Sequence, residues 1–315
     1  MDYIYILRDA VELGLIWSLL ALGVFVSFRI LDFADLTVEG SMALGGALTA
    51  SLMLKGHPIF SNYFVVMILV IIFGALAGIT TGVLHTKLKI PGILAGIISM
   101  TALYSINLMI MKGASLYIPE AVTIYNPLDW FFSNVIVIEN LATQRFISKT
   151  LTSFLVVGLF TSLMYWFFGT EVGMSVRTIG SNKQMARAQG INTDKMIIVG
   201  LAISNALIAL TGSLYAQSFK TSNMDIGRGT IVIGLAAIIL GETIVGKKTF
   251  KRWLVAVITG SIVFQLLIGI AINLGFSANN LKLLQAILIA IVLANPTIKT
   301  WIKERRNNKK GESYA

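Results

Sequence analysis

Nine stretches of about 15 to 22 mostly apolar residues, separated by short segments that hold most of the charge, constrain this chain more than any other feature. A helix needs about 20 apolar residues to cross the hydrocarbon core of a bilayer. The stretches lie at Val11–Phe28, Leu36–Leu54, Tyr63–Val83, Gly92–Met111, Leu151–Phe168, Lys195–Ala216, Arg228–Val245, Trp253–Asn273 and Asn280–Ala294. Only 13% of the residues are charged, against about 25% in an ordinary soluble domain, so a water-soluble globule of this sequence would expose large apolar patches. The fold class expected is an all-α polytopic membrane protein of about nine transmembrane helices. The second and seventh stretches are rich in glycine and flanked by charge, which suggests broken or re-entrant helices.

Charge placement gives an orientation. Placing the N-terminus outside puts the loops 29–35, 84–91, 169–195 and 246–252 and the tail from 296 in the cytoplasm. Those segments hold seventeen of the 25 basic residues, the bias expected of the cytoplasmic side. An odd number of spans then leaves the C-terminus inside. The first apolar run follows an acidic start (Asp2, Asp9, Glu12) and precedes the charged Arg29–Asp35, so it reads as a retained span rather than a signal peptide. The division expected is a transmembrane domain over 1–297, with a cytoplasmic loop at 169–194, and a basic cytoplasmic tail over 298–315. The longest outer segment, Lys112–Thr150, contains an apolar piece, Trp130–Ile138, too short to cross.

Several chemistries are excluded or unsupported. No cysteine is present, which removes disulfides, thiolate metal sites and cysteine nucleophiles. His57 and His85 are far apart and lack the i, i+4 spacing of a helical zinc pair, so they read as ordinary loop or interface residues, and no metal site is expected. No serine–histidine or paired-aspartate arrangement lies within the spans, so no catalytic residue is assigned.

The loop between the fifth and sixth spans is the most informative segment. Ser181 and Gln184 have the spacing of a capping box, Lys183–Gln189 are good helix formers, and Gly190 suits the left-handed position that ends a helix. The spacing predicts a helix of about two turns outside the bilayer, too short to be stable alone. Met185, Ala188 and Gln189 form a small uncharged face, and Lys183 and Arg187 add positive charge. Spacing alone leaves two readings open: a knob that inserts into another protein, and a basic cytoplasmic loop that merely carries caps.

The segment Gly173–Asn192, with Arg177, Gly180, Asn182, Ala186 and the ending Ala188-x-Gly190-Ile191, resembles the coupling loop of the permease family that includes ribose and branched-chain amino acid importers. Arg29–Gly46 and Asp225–Glu242 are similar to a tryptophan- or tyrosine-type subgroup of it. The resemblance runs from about Gly14 to Ala294. It implies a permease subunit of an ATP-driven (ABC-type) importer in a bacterial cytoplasmic membrane, working as a homodimer or with a close homologue. It also implies that an extracellular or periplasmic binding protein delivers the solute, an amino acid and by the subgroup an aromatic one. The docking residues it implies, together with those the caps and charges single out, are Arg177, Gly180, Ser181, Asn182, Lys183, Ala186, Arg187 and Gly190. The chain has no G-x-x-x-x-G-K-[ST] phosphate loop, so ATP and magnesium belong to a separate subunit and no cofactor is expected on this chain.

An ionised side chain inside a bilayer is costly and usually faces a cavity or a partner. Asp35 and Glu39 open the second span; Asp225 and Arg228 open the seventh. Both stretches continue into glycines and small residues, one entering from inside and one from outside, which suggests inverted repeats with broken helices. These four residues, with Asn107 and Asn205, are the candidates for the substrate path; Gln265, Asn273, Tyr104 and Tyr215 come second. The alternative, which the residues alone favour, is that all four charges sit at the interface and the glycines serve close helix packing. Glu242 is placed to pair with Lys247 or Lys248. An ion-coupled secondary transporter is the alternative, and it would call for carboxylates deeper within the spans.

Overall fold

The computed structural model describes residues 3–54, 62–118, 122–134 and 140–274, together with helical residues at 283, 285–287, 290 and 294. Helix α1 spans Tyr3–Val24 and continues as a π-helical turn, Phe25–Ile30. Helices α2 (Thr37–Leu54), α3 (Tyr63–Thr86) and α4 (Gly92–Met111) follow. Next come β1 (Ser115–Tyr117), α5 (Asn126–Asn134), α6 (Leu141–Phe167), α7 (Glu171–Ser181) and α8 (Lys183–Ala188). The remainder is α9 (Thr193–Phe219), β2 (Thr221–Asn223), a 3-10 turn at Met224–Gly227, α10 (Thr230–Ile244) and α11 (Phe250–Asn273).

Among the described residues, seven helices are long and apolar enough to cross a membrane. They correspond to every span read from the sequence except the second and the ninth. The second, α2, is an unbroken helix at the centre of the bundle, with 15 of its 18 residues buried. The ninth, Asn280–Ala294, lies outside the described residues for most of its length, as do His57 and the tail. The fifth span begins ten residues earlier than expected. Asn140 caps α6 by accepting the Ala142 and Thr143 N–H groups, and the polar Arg145 and Lys149 belong to its first turns. The apolar piece Trp130–Ile138 is helical in α5 as far as Asn134. A short antiparallel ribbon, Ser115–Tyr117 against Thr221–Asn223, is an addition that the all-α reading lacks.

Contacts fix the directions of the helices. Gly14 packs on Ile262 and Gly269 on Ile6, so α1 and α11 are antiparallel; Gly74 lies on Ala209 and Gly82 on Ile198, so α3 and α9 are antiparallel. Ser41 donates to Asn205 Oδ1 at 2.6 Å and Thr49 donates to Ser213 at 2.7 Å, so α2 runs parallel to α9. Gly241 meets Ala256 and Gly260 meets Ala237, which makes α10 antiparallel to α11 and parallel to α1. The units α1–α2–α3 and α9–α10–α11 therefore repeat one plan with opposite direction. In each, a long helix is followed by a break, a helix packed parallel to the other unit's first helix, and a helix packed antiparallel to it.

One end of the bundle collects the segments 31–36, 87–91, 168–192 and 245–249. Lys89 reaches Asp194 at 3.8 Å and Arg29 reaches Glu242 at 2.8 Å. The opposite end carries the β ribbon and a cluster in which Lys149 binds the Ser218 carbonyl at 3.1 Å and Glu12 at 3.3 Å. All the basic internal loops assigned to one side of the membrane share one end of the molecule.

Candidate functional site

The loop-bearing end is built from two consecutive helices where the sequence suggested one. Thr170 caps α7, accepting the Gly173 N–H at 3.3 Å, and Val176 and Ile179 bury its inner face. Because α7 runs through Ser181, that residue is not the N-cap of the next helix; its hydroxyl donates back to the Thr178 carbonyl at 3.0 Å. The chain turns extended at Asn182 (φ −159°, ψ 99°), whose side chain accepts the Met185 N–H at 2.9 Å and so caps α8. The N-cap is shifted by one residue and no capping box forms, because Met185 now stands where Gln184 would have reached back and the Asn182 N–H bonds the Thr178 carbonyl. At the other end Gly190 has φ +81°, and the Gly190 and Ile191 N–H groups bond the Arg187 and Ala186 carbonyls, closing α8 in the left-handed manner expected.

Helix α8 is anchored inward and bare outward. Ala186 is fully buried, whereas Met185 is 54% exposed and Ala188 and Gln189 are exposed beside it. Arg187 donates from Nε to Thr193 Oγ1 at 3.0 Å and lies 3.8 Å from Asp194. Burial, and next the neighbouring Arg187 guanidinium, push the Lys183 ammonium below the ordinary lysine value.

Two contacts tie this assembly to the membrane helices. A Cβ on Gly180 would overlap the Ile30 carbonyl oxygen, so α7 lies directly on the backbone at the end of the first span. The Arg177 guanidinium sits 4.6 Å from the centre of the Phe250 ring, which joins α7 to α11. Beside them Arg29 pairs with Glu242 Oε2 at 2.8 Å while Trp253 Nε1–H donates to Glu242 Oε1 at 2.9 Å. Glu242 thus binds Arg29 and Trp253 and not Lys247 or Lys248. The last turn of α10 points its carboxylate across the bundle to α1 rather than forward into the following loop.

The six candidates for the substrate path divide into two groups. Asp35 and Asn205 are fully buried and face each other. Asp35 accepts the Thr37 N–H at 2.9 Å and Asn205 Nδ2 at 2.7 Å, and Asn205 in turn accepts from Ser41. They form a closed polar knot between α2 and α9. Glu39, Asn107 and Arg228 instead line a cleft of about 520 Å³ between α2, α4 and the 224–229 segment, with Tyr104, Thr101 and Met100 on its α4 wall. Asp225 stands beside it, paired with Arg228 at 2.9 Å. Glu39 Oε1 accepts the Gly229 N–H at 2.9 Å, so the first turn of α2 meets the entry to α10, and Gly229 adopts φ +83° there. Tyr104 is 12 residues into the 20-residue α4, about 18 Å along it, so the α4 wall of the cleft lies a little past the middle of that helix. Of the second-rank residues, Tyr215 stacks on Phe219 at 4.4 Å and Gln265 is buried on α11.

The glycines of the two stretches have packing work of their own. A Cβ on Gly45 would overlap the Ala209 carbonyl, and one on Gly227 would overlap the Glu39 carbonyl.

Over residues 6–293 the chain matches the family described as branched-chain amino acid transport system / permease component. The chain belongs to this permease family. It is 36% identical over 92% of its length to the tyrosine transport system permease protein of Clostridioides difficile, covering 91% of that protein. Similarity extends to the ribose import permease protein of Haemophilus influenzae, at 25% identity over 76% of this chain and 68% of that one. It extends also to the galactofuranose transporter permease of Escherichia coli, at 24% identity over 82% and 70%. No solved structure gives a significant match.

Sequence reasoning passed over three parts of the permease. The Arg29–Glu242–Trp253 cluster joins residues more than two hundred positions apart, and no local pattern reveals it. The chain Thr37–Thr81–Ser99, with hydroxyls 2.7 Å apart in each step, was signalled only by small polar residues inside apolar runs. Helix α7 was legible in the period of Val172, Val176 and Ile179, but Gly173 and Gly180 had the look of loop glycines.

Proposed function

We propose that the chain is the membrane-spanning permease subunit of an ATP-driven importer for an amino acid, an aromatic one being favoured by its likeness to a tyrosine transport permease. In this reading α8 is the knob that a separate ATP-binding subunit grips from the cytoplasm, which places the N-terminus outside and the C-terminus inside a bacterial cytoplasmic membrane. The observation that carries it is the construction of α8: a six-residue helix, outside the spans, rooted by Ala186 and presenting Met185, Ala188 and Gln189 to solvent. Gly180 and Arg177 then supply rigid connections from that knob to the first span and to α11. A push on α8 would reach Ile30, Arg29 and Glu242, where the two repeats meet.

The residues assigned to docking are Arg177, Gly180, Ser181, Asn182, Lys183, Ala186, Arg187 and Gly190. Ser181 and Asn182 act through the break that separates the two helices, and Gly190 through the turn that ends the second. The solute path runs along the cleft at Glu39, Tyr104, Asn107 and Arg228, whose polar groups between the helices call for water or a second permease copy against that face. Asp35 and Asn205 hold α2 and α9 behind it. The permease performs no covalent chemistry, ATP and magnesium residing on the partner subunit, and a binding protein delivers the solute.

Proteoliposomes containing the permease and its ATP-binding subunit, given the binding protein outside and ATP inside, should accumulate labelled L-tyrosine. Uptake that continues without the ATP-binding subunit and follows an imposed ion gradient would establish a secondary transporter in its place.

A further inference from the structure

We infer that the cleft between α2, α4 and the 224–229 segment is a binding site of the permease itself for a protonated primary amine, with the Glu39 carboxylate and Asn107 Oδ1 as the accepting atoms. The inference rests on the importer reading and deepens it: the permease selects its solute by the amino group after the binding protein has released it.

The unpartnered atom decides the chemistry. Asn107 is fully buried, and its Nδ2 is committed to the Gly40 carbonyl at 3.2 Å, which turns Oδ1 away from α2. That oxygen is buried, has no hydrogen-bond donor and belongs to a residue lining the cleft. Buried acceptors are ordinarily satisfied, so one left open beside a cavity marks a place for a donor. A second acceptor stands on the α2 wall. Glu39 uses Oε1 for the Gly229 N–H and leaves Oε2 for a donor, while Arg228, which lines the same cleft and acts on Glu39 through its charge, makes its close ion pair with Asp225 at 2.9 Å.

The cleft therefore offers an anionic acceptor, a neutral acceptor and an aromatic ring, Tyr104, which is 44% exposed. An alkylammonium answers all three: it brings three N–H donors, a positive charge for the carboxylate, and a cation for the ring. A sugar hydroxyl supplies donors but no cation for the carboxylate and the ring. Met100, Ala43 and Met224, which line the cleft beside the hydroxyls of Thr101 and Ser105, suit an apolar or aromatic body attached to the amine. The Arg228 side chain at the rim is placed for a carboxylate if it exchanges Asp225 for the ligand.

The test uses the full transporter complex in lipid nanodiscs and three labelled probes: L-phenylalanine, phenethylamine, which lacks the carboxylate, and 3-phenylpropionate, which lacks the amine. With the binding protein omitted, scintillation proximity should detect the first two and find 3-phenylpropionate at least tenfold weaker. Glu39→Gln keeps an oxygen for the Gly229 N–H and removes the charge; it should weaken phenethylamine at least tenfold while leaving the thermal unfolding of the complex in place. Equal binding of 3-phenylpropionate, no binding by any probe, or unchanged phenethylamine affinity in a folded Glu39→Gln protein overturns the inference. ATP-driven uptake persisting alongside any of those results would leave the importer reading standing, whereas amine binding without ATP-driven uptake would remove the importer reading alone.

Discussion

Replacing Gly180 by alanine tests whether α7 transmits force to the first span. The added methyl would overlap the Ile30 carbonyl oxygen and lie 2.7 Å from its carbon and 3.1 Å from the Leu31 carbon, all of them backbone atoms that cannot rotate away. Overfilling a tightly packed contact typically costs about 1–3 kcal/mol. Here the cost falls on the seating of α7 against Ile30, so the seated arrangement should lose population by roughly 5- to 150-fold relative to an unseated one. Val176 and Ile179 remain buried, and α7 itself gains a better helix former, so the helix persists while its contact loosens. In reconstituted transporter the variant should hydrolyse ATP at a rate near that of the parent while uptake per ATP falls at least fivefold. Uptake per ATP equal to the parent's, in a protein with the same unfolding temperature, would refute the argument that Gly180 carries the coupling.

Asn205→Leu should destabilise the protein through the polar knot. It strips Asp35 Oδ2 of its 2.7 Å donor and Ser41 of its acceptor, at about 1–3 kcal/mol for each buried group left unpaired, and an unchanged unfolding temperature in detergent would contradict this. Arg29→Ala should lower uptake more than stability, because Arg29 is partly exposed and such pairs contribute about 0–1 kcal/mol; partial restoration in an Arg29→Glu, Glu242→Arg double variant is the check on their pairing. Lys183 is held below the ordinary lysine value by burial and then by Arg187, so its uncharged form is reached at lower pH in the folded protein. Acylation of Lys183 in the folded permease should accordingly reach half its limiting rate below about pH 10.4, the value for a free lysine side chain, and a midpoint at or above that pH would contradict the assignment.

The membrane class, the alternation of the spans and the grouping of the basic loops were legible because each follows from hydropathy and charge along the chain. Helix ends were less so. The reading of α6 began at the first uninterrupted apolar residue, although Asn140 eleven residues earlier is the cap that starts it. The loop helix α8 was located by its propensity and by Gly190, yet its cap was assigned to Ser181 because a helix ending at that very residue leaves no local mark. The division of the candidate path residues was beyond sequence altogether. Asp35, just before α2, and Glu39, in its first turn, are only four residues apart, but one is turned to Asn205 and the other to Gly229, and only the packing of α2 between α9 and the 224–229 segment separates them.

The central claim is that α8 is gripped from the cytoplasm by an ATP-binding subunit, and a single cysteine tests it directly, since the chain has none of its own. The measurement is labelling of Ala188→Cys by a membrane-impermeant maleimide in inside-out vesicles, with and without the ATP-binding subunit, and in right-side-out vesicles. The account predicts labelling of stripped inside-out vesicles, strong protection once the subunit binds, and none from the outer face. Labelling from outside, or equal labelling with the subunit bound, would contradict it.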